Sequence, residues 1–303
     1  MTALATSTAT AAATSRTRAP AADAAREIAS FAIGALREEL EVWPKPGLVS
    51  PRDAGAHADM DAATFAASLR ALAPSFEAIA RAGLTGAPFA RLRDLGVLAE
   101  ARMLAATGGV NTHRGALFAL GLLAAAAGRL AASGARVDAA SLRETVRGTF
   151  GPAIRRELPR PTESHGAVVA RRHGVGGARA EAAAGFPHLF GVALPALEQS
   201  RRRGASRSAA AVQALLASVA TLADTNLLYR GGPAGLAFAR AAARAFLRAG
   251  GVHREGWEVE ACALHAAFVA RRLSPGGSAD VLAAALFVDG LCVAARASAG
   301  AAG

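Results

Sequence analysis

The apolar part of this chain is built from alanine and leucine, and that restricts the fold more than any other feature. Apolar residues make up 52% of the 303 positions, yet aromatic residues are only 5%. Alanine and leucine are the strongest helix formers, whereas a sheet draws on Val, Ile, Tyr and Phe. The composition predicts an all-α fold of closely packed helices. A chain of this length buries a large core as one domain or two modest ones.

The periodicity agrees. Ile28, Phe31, Ala32, Leu36 and Leu40 recur at helical spacing, predicting a helix over 23–42 that stops at Pro44, which has no amide donor. Further helices are expected over 62–73, 87–106, 112–132, 138–150, 191–203, 205–228, 235–249, 257–273 and 279–297. Between them lie short segments rich in Gly, Pro, Asp, Asn and His, so chemistry belongs on the loops. The sequence shows no internal repeat. One helical domain is expected over 23–298, behind an Ala/Thr-rich tail over 1–22 without fixed structure. The irregular stretch 159–177 is expected to form a mobile flap.

The formal charge of +11 comes almost wholly from arginine, since Lys45 is the single lysine. Tracts such as Arg201, Arg202 and Arg203 lack interleaved aromatics, and no nucleic-acid-binding signature accompanies them. They read as solvated helix faces, with attraction for polyphosphate second. Nucleic acid is therefore not an expected partner. The uncharged apolar runs 115–128 and 208–223 fall short of the roughly 20 residues of a membrane helix and are expected as core helices. The first twenty residues lack a basic start and a leucine block, unlike a secretory signal. Cys262 and Cys292 sit in apolar helical text and read as reduced core residues of a cytoplasmic protein.

Usage inside the chain adds a signal. Lysine has given way to arginine and asparagine is nearly gone, yet Lys45, Asn111, Asn226 and the sole tyrosine, Tyr229, all fall in glycine-containing loops. Their retention there points to a site where donor geometry matters.

Four loops carry candidate chemistry. In ATGGVNTHRG (106–115), Gly108 and Gly109 precede Asn111, Thr112, His113 and Arg114 at the start of an apolar helix; backbone amides there suit a triphosphate. The alternative is a helix cap by Asn111 or Thr112. In GAHADMD (55–61), Asp59 and Asp61 can hold Mg2+, with His57 orienting a carboxylate or accepting a proton; Asp61 can equally cap the helix from 62. In DTNLLYRGG (224–232), an acid at a helix C-terminus opposes the dipole, so Asp224 reads as a ligand or base. Arg230 there can clamp phosphate, beside Asn226, Gly231 and Gly232, which can also end a helix. In LSPGGSAD (273–280), Gly276 and Gly277 lead to Asp280, and an ordinary interhelix turn is the plain alternative. GGARAEAAAGFP (176–187) adds Arg179 and Glu181, which would otherwise form a surface ion pair. Serine-hydrolase, zinc-protease, thiol-redox and dinucleotide motifs are absent.

Taken in order, PKPGLV, GAHADM, ATGGVNTHRG, GGARAEAAAGFP, DTNLLYRGG and LSPGGSAD resemble the triphosphoribosyl-dephospho-CoA synthase family, which serves citrate lyase and malonate decarboxylase. The resemblance runs from about residue 41 to 291, with Ser50 where many members have Asp and Arg114 where they have Lys. It implies an all-α protein that uses ATP and 3'-dephospho-CoA, releases adenine, and makes the prosthetic-group precursor passed to a holo-acyl-carrier-protein transferase. The wording WPKPGLVSPRD favours the malonate decarboxylase branch.

The resemblance fixes motifs rather than roles, so roles are assigned by residue chemistry. Mg2+ and triphosphate go to Asp59, Asp224 and Asp280. Lys45, Arg114, Arg230 and the amides of Gly108 and Gly109 neutralise phosphate. The base is Asp59 or Asp224, with His57 or His113 orienting. Two rival readings are a Mg-dependent ADP-ribosyl or nucleotide glycohydrolase and a non-catalytic nucleotide-binding partner of an acyl carrier. Either a monomer or an oligomer is compatible with the sequence.

Overall fold

The computed structural model describes residues 6–157 and 165–301, and among them every regular element is helical. In chain order these are α1 (Thr6–Glu41), α2 (Ala62–Leu84), α3 (Phe89–Ala106), α4 (Arg114–Ala132), α5 (Ala139–Thr145), α6 (Gly151–Arg156), α7 (His165–Arg172), α8 (Gly177–Ala183), α9 (Leu194–Arg202), α10 (Arg207–Thr221), α11 (Thr225–Arg248), α12 (Trp257–Ala270) and α13 (Gly276–Ala301). Single π turns at Val146–Phe150 and Leu189–Ala193 lead into α6 and α9. α1 begins inside the stretch expected as a tail, in keeping with the helix propensity of its alanines; residues 1–5 lie outside the described residues. Residues 158–164, which include 159–164 of the expected flap, also lie outside them, while α7 and the turn into α8 account for much of the rest of the flap.

Local chemistry sets the ends of these helices. Asp61 caps α2 by accepting from Thr64 N (2.9 Å), and Thr64 Oγ1 in turn accepts from Asp61 N (3.4 Å), a reciprocal capping box. The sequence predicts an end before Pro74, but α2 runs through it to Leu84. The missing backbone bond is outweighed by burial of Leu72, Phe76 and Ile79 on either side.

The core centres on α4, which packs against α1, α2, α3 and α13. Small residues let the backbones meet: a Cβ on Gly83 would lie 2.1 Å from Ala125 O, and one on Gly128 would lie 2.4 Å from Ala80 O. By length and composition, α4 and Gly276–Ala297 of α13 are apolar enough to cross a membrane. The count of uncharged runs missed α13 because Asp280 and Asp289 interrupt it. Both helices bury those faces in the bundle, through Leu120 and Leu123 on α4 and Leu282 and Phe287 on α13.

Two expectations fail here. The helix expected over 205–228 is two helices, broken at 222–224, and the second runs on through 235–249. Cys262 is exposed on α12, because its helix packs on one side only, whereas Cys292 is buried.

The break has a consequence for the site. It sets the N-terminus of α11 beside those of α4 and α13 at one cleft, with the C-terminal end of α1 and residues 89–100 of α3 on its other walls.

Candidate active site

The cleft has a volume of about 1760 Å3 and collects loops from the whole chain. It contains every residue assigned to the site from sequence except Gly231 and Gly232, and except Asp61, which is taken up as the α2 cap. The two glycines have packing roles instead. A Cβ on Gly231 would strike Leu273 Cδ2 at 2.5 Å, and Gly232 (φ 60°, ψ −163°) bends α11 before Pro233 in a conformation nearly confined to glycine.

Loop 42–61 folds on itself and against α12. Gly47 has φ +67°, and a Cβ there would meet Leu273 O at 2.0 Å, so only glycine fits. This fold drives Lys45 inward, to donate to Glu39 O (2.6 Å) and Glu39 Oε1 (2.8 Å) on α1. His265 donates to Lys45 O (2.6 Å) and packs tilted against Trp43, with ring centroids 4.8 Å apart. Burial lowers the Lys45 pKa, and Glu39 opposes that shift. Lys45 is thus a buried ion pair in the cleft floor rather than a free phosphate clamp.

At the cleft mouth His57 lies between two elements. Arg230 Nη2 donates to His57 Nδ1 (2.9 Å), and Nε2 meets Ser274 Oγ at 2.9 Å. Burial, and then the Arg230 charge, lower the His57 pKa to about 4, so it is neutral near pH 7 although Asp59 is 3.6 Å away. Arg230 also donates to Ala56 O (2.9 Å) and Arg272 O (3.2 Å).

Asp224 reverses the sequence reading. It is the N-cap of α11, not the end of the preceding helix, so the dipole favours its charge. One oxygen accepts from Asn226 N (2.9 Å) and Leu227 N (3.3 Å); the other accepts from Ser278 N (2.8 Å) and Ser278 Oγ (2.9 Å). Asp224 therefore ties the starts of α11 and α13 together, and its four accepted bonds leave little capacity for a metal, although burial raises its pKa against them. Gly276 and Gly277 make the approach possible, since a Cβ on Gly276 would lie 2.2 Å from Asn226 Nδ2 and one on Gly277 3.1 Å from Asp224 Oδ1.

Asp280, one turn along α13, faces the start of α4 so closely that a Cβ on Gly115 would lie 1.9 Å from its Oδ2. Burial, Asp224 and Glu39 hold its pKa well above the usual carboxylate range, opposed by the Ala116 amide. Among the described residues no three of His, Cys, Asp and Glu form a metal-holding group. The expected trio of Asp59, Asp224 and Asp280 is therefore not assembled: Asp59 is on an exposed loop and Asp224 is turned into its caps.

Other expected phosphate donors are partly committed. Gly109 N bonds Leu104 O (2.7 Å) to end α3, and Asn111 Oδ1 caps Arg114 N (3.1 Å), the plain alternative for that residue. Arg114 pairs with Glu100 across α3 and α4. Arg179 and Glu181 do not pair with each other. Arg179 donates to Ile154 O and Glu157 O (both 2.9 Å), while Glu181 accepts from His188 N (3.1 Å) and meets His188 Nδ1 at 2.7 Å. Arg179 and Arg230 thus bond carbonyls or a neutral ring and keep their positive charge toward the cleft.

These segments join six separated motifs into one cleft lined by both basic and acidic side chains, and comparison with known proteins gives them a common origin. The ATP:dephospho-CoA triphosphoribosyl transferase family profile matches residues 25–298. The chain belongs to that family. It is 44% identical over 285 residues to a probable 2-(5''-triphosphoribosyl)-3'-dephosphocoenzyme-A synthase of Stutzerimonas stutzeri, covering 92% of this chain and 97% of the relative. A synthase of that name from Klebsiella pneumoniae is 42% identical over 269 residues, covering 86% and 93%. No solved structure matches. Like its family, the chain is a transferase that moves triphosphoribosyl from ATP to dephospho-CoA.

Within this family frame, the sequence reading missed Glu39 and Ser68, which sit inside helices in unremarkable text and are marked only by their partners Lys45 and His113. Ser274 and Ser278 fall in the LSPGGSAD segment, but their partners His57 and Asp224 were not legible. The internal glycines that admit a carboxylate were the one available signal.

Proposed function

We propose that the cleft holds both nucleotides together, with Asp280 and Asp59 as its working carboxylates. The observation that carries this is the contrast between two buried acids. Asp224 accepts four bonds, whereas Asp280 lies beside two other acids with the Ala116 amide to offset them. A volume of about 1760 Å3 exceeds the 300–1,000 Å3 typical for one small ligand and suits two.

Arg179 and Arg230 face the triphosphate, with the N-terminal ends of α4, α11 and α13 adding favourable dipoles. Mg2+ fits the residues present. It prefers one or two carboxylates plus substrate phosphates over an all-protein cage, and a cation relieves the repulsion among Asp280, Asp224 and Glu39. Asp280 would hold it, and when bound it would offset phosphate charge. Asp59, at the mouth, takes the proton of the incoming 2'-hydroxyl as that oxygen attacks C1' of the ATP ribose and adenine leaves with the C1'–N9 electron pair.

The reading places the reaction in the cytoplasm, where both nucleotides are made. The product goes to a holo-acyl-carrier-protein transferase, and the 43–53 wording supports a malonate decarboxylase system. The test is adenine release with a matching mass gain on dephospho-CoA. Adenine should appear only with both substrates and Mg2+, and Asp280→Asn should lower turnover at least about a hundredfold. Undiminished turnover in Asp280→Asn would remove its role, and adenine release without an acceptor would favour a glycohydrolase.

A further inference from the structure

His113 is buried at the cap of α4 and lines the cleft. Its Nδ1 is 2.7 Å from Ser68 Oγ on α2, its backbone N–H points at Met103 Sδ (3.3 Å), and Phe65 packs edge-on against the ring with centroids 4.7 Å apart. Its other nitrogen, Nε2, is buried with no hydrogen-bond partner among the described residues, as is Oγ1 of the neighbouring Thr112. Leaving a buried polar atom unpaired costs about 1–3 kcal/mol, so two adjacent orphans lining a cleft call for a partner that arrives from outside.

The chemistry of that partner is constrained. Burial, reinforced by the Lys45 charge, lowers the His113 pKa to about 3, so the ring stays neutral and brings no charge to a phosphate. Arginine supplies charge elsewhere in the cleft. Beside His113 the cleft is lined by Phe65 and Val110, which suit a flat, uncharged, hydrogen-bonding ring. A neutral imidazole carries one proton; in the tautomer we assign, Ser68 donates to Nδ1 and that proton is on Nε2.

We propose that His113, oriented by Ser68, donates its Nε2–H to a ring nitrogen of adenine, with Thr112 Oγ1 beside it as a second contact. The inference rests on the two-nucleotide reading above. Both substrates carry adenine, so either the leaving base of ATP or the base of dephospho-CoA can be the one read. His113 transfers no proton. In the leaving-base case its hydrogen bond steadies the electron pair that passes to the purine as C1'–N9 breaks, and the hydroxyl proton balances that charge overall.

The experiment is equilibrium binding of ATP, dephospho-CoA and inorganic tripolyphosphate, each alone, to the wild type and to His113→Leu. Loss of the one hydrogen bond should weaken one of the nucleotides about tenfold or more and leave tripolyphosphate unaffected. Weakened ATP assigns the leaving base, and weakened dephospho-CoA the acceptor's base. Unchanged affinity for both nucleotides, or an equal loss for tripolyphosphate, overturns the proposal.

Nitrogen-15 histidine spectra of the wild type provide a readout that needs no destabilised variant. His113, assigned by difference from His113→Asn, should show a protonated Nε2 whose signal moves when the nucleotide binds. A signal indifferent to both nucleotides overturns the contact. Ser68→Ala should mix the two tautomers and weaken the same nucleotide, with recovery in Ser68→Thr; an unchanged tautomer removes Ser68 as the positioning residue. Wild-type adenine release tests the parent reading separately.

Discussion

Asp224 and His57 show how one side chain's surroundings determine what it can do. Because Asp224 accepts bonds from two helix starts, Asp224→Ala should cost about 3 kcal/mol in urea unfolding, the scale of losing a buried charged network. Asp224→Asn should melt lower yet keep most of its turnover below the melt; a folded Asp224→Asn protein without activity would restore the catalytic reading. His57 is held neutral, with a pKa of about 4 against an ordinary 6.5. Between those values the unfolded chain binds the proton and the folded chain does not, so stability is full above pH 6.5 and falls as pH drops toward 4. A tenfold difference in proton affinity is worth about 1.4 kcal/mol, so the shift corresponds to about 3.5 kcal/mol, which solvent screening of the partly exposed ring reduces to on the order of 2–3 kcal/mol. In His57→Gln the urea midpoint should fall less steeply from pH 7 to 4.5; identical slopes would count against this account.

At the scale of elements, helices here are positioned by what their glycines admit. An exposed helical Gly→Ala change ordinarily gains up to about 1 kcal/mol. Gly83→Ala should instead destabilise by at least about 2 kcal/mol, because its methyl meets the Ala125 carbonyl where α2 and α4 touch. Thermal melts of Gly83→Ala beside Gly34→Ala, where nothing lies within 4 Å of the added carbon, separate propensity from packing. The bend at Gly232 is similar: alanine there is strained even though the space is open, and a loss of about 1–3 kcal/mol is expected.

At the scale of the whole molecule, the +11 charge and the converging helix starts act over distances longer than any one contact. Much of the arginine is on outward faces, but Arg179 and Arg230 are aimed into the cleft without carboxylate partners at hydrogen-bonding range among the described residues. Capture of ATP should therefore weaken with salt, and its KM should rise several-fold from about 50 mM to about 500 mM ionic strength. A KM indifferent to salt would mean that the cleft charge is already neutralised by neighbours such as Glu100 and Glu39.

Composition and period were enough for the fold class, because alanine and leucine at helical spacing have few other ways to bury themselves. Rare residues near glycines were enough to gather the cleft: Lys45, Asn111, Asn226 and Tyr229 do line one space, although the last two prove to sit in the first turns of α11 rather than in a loop. Roles were not legible, since a role depends on what faces a side chain across the bundle. Lys45 looked like a free cation until Glu39, six residues back, proved to hold it. Asp224 looked like the end of a helix because the uncharged apolar run 208–223 leads straight up to it, and only the turn at 222–224 shows that the same carboxylate begins the next one. Local sequence determines propensity and spacing; the pairing of charges and caps between distant helices is decided by packing.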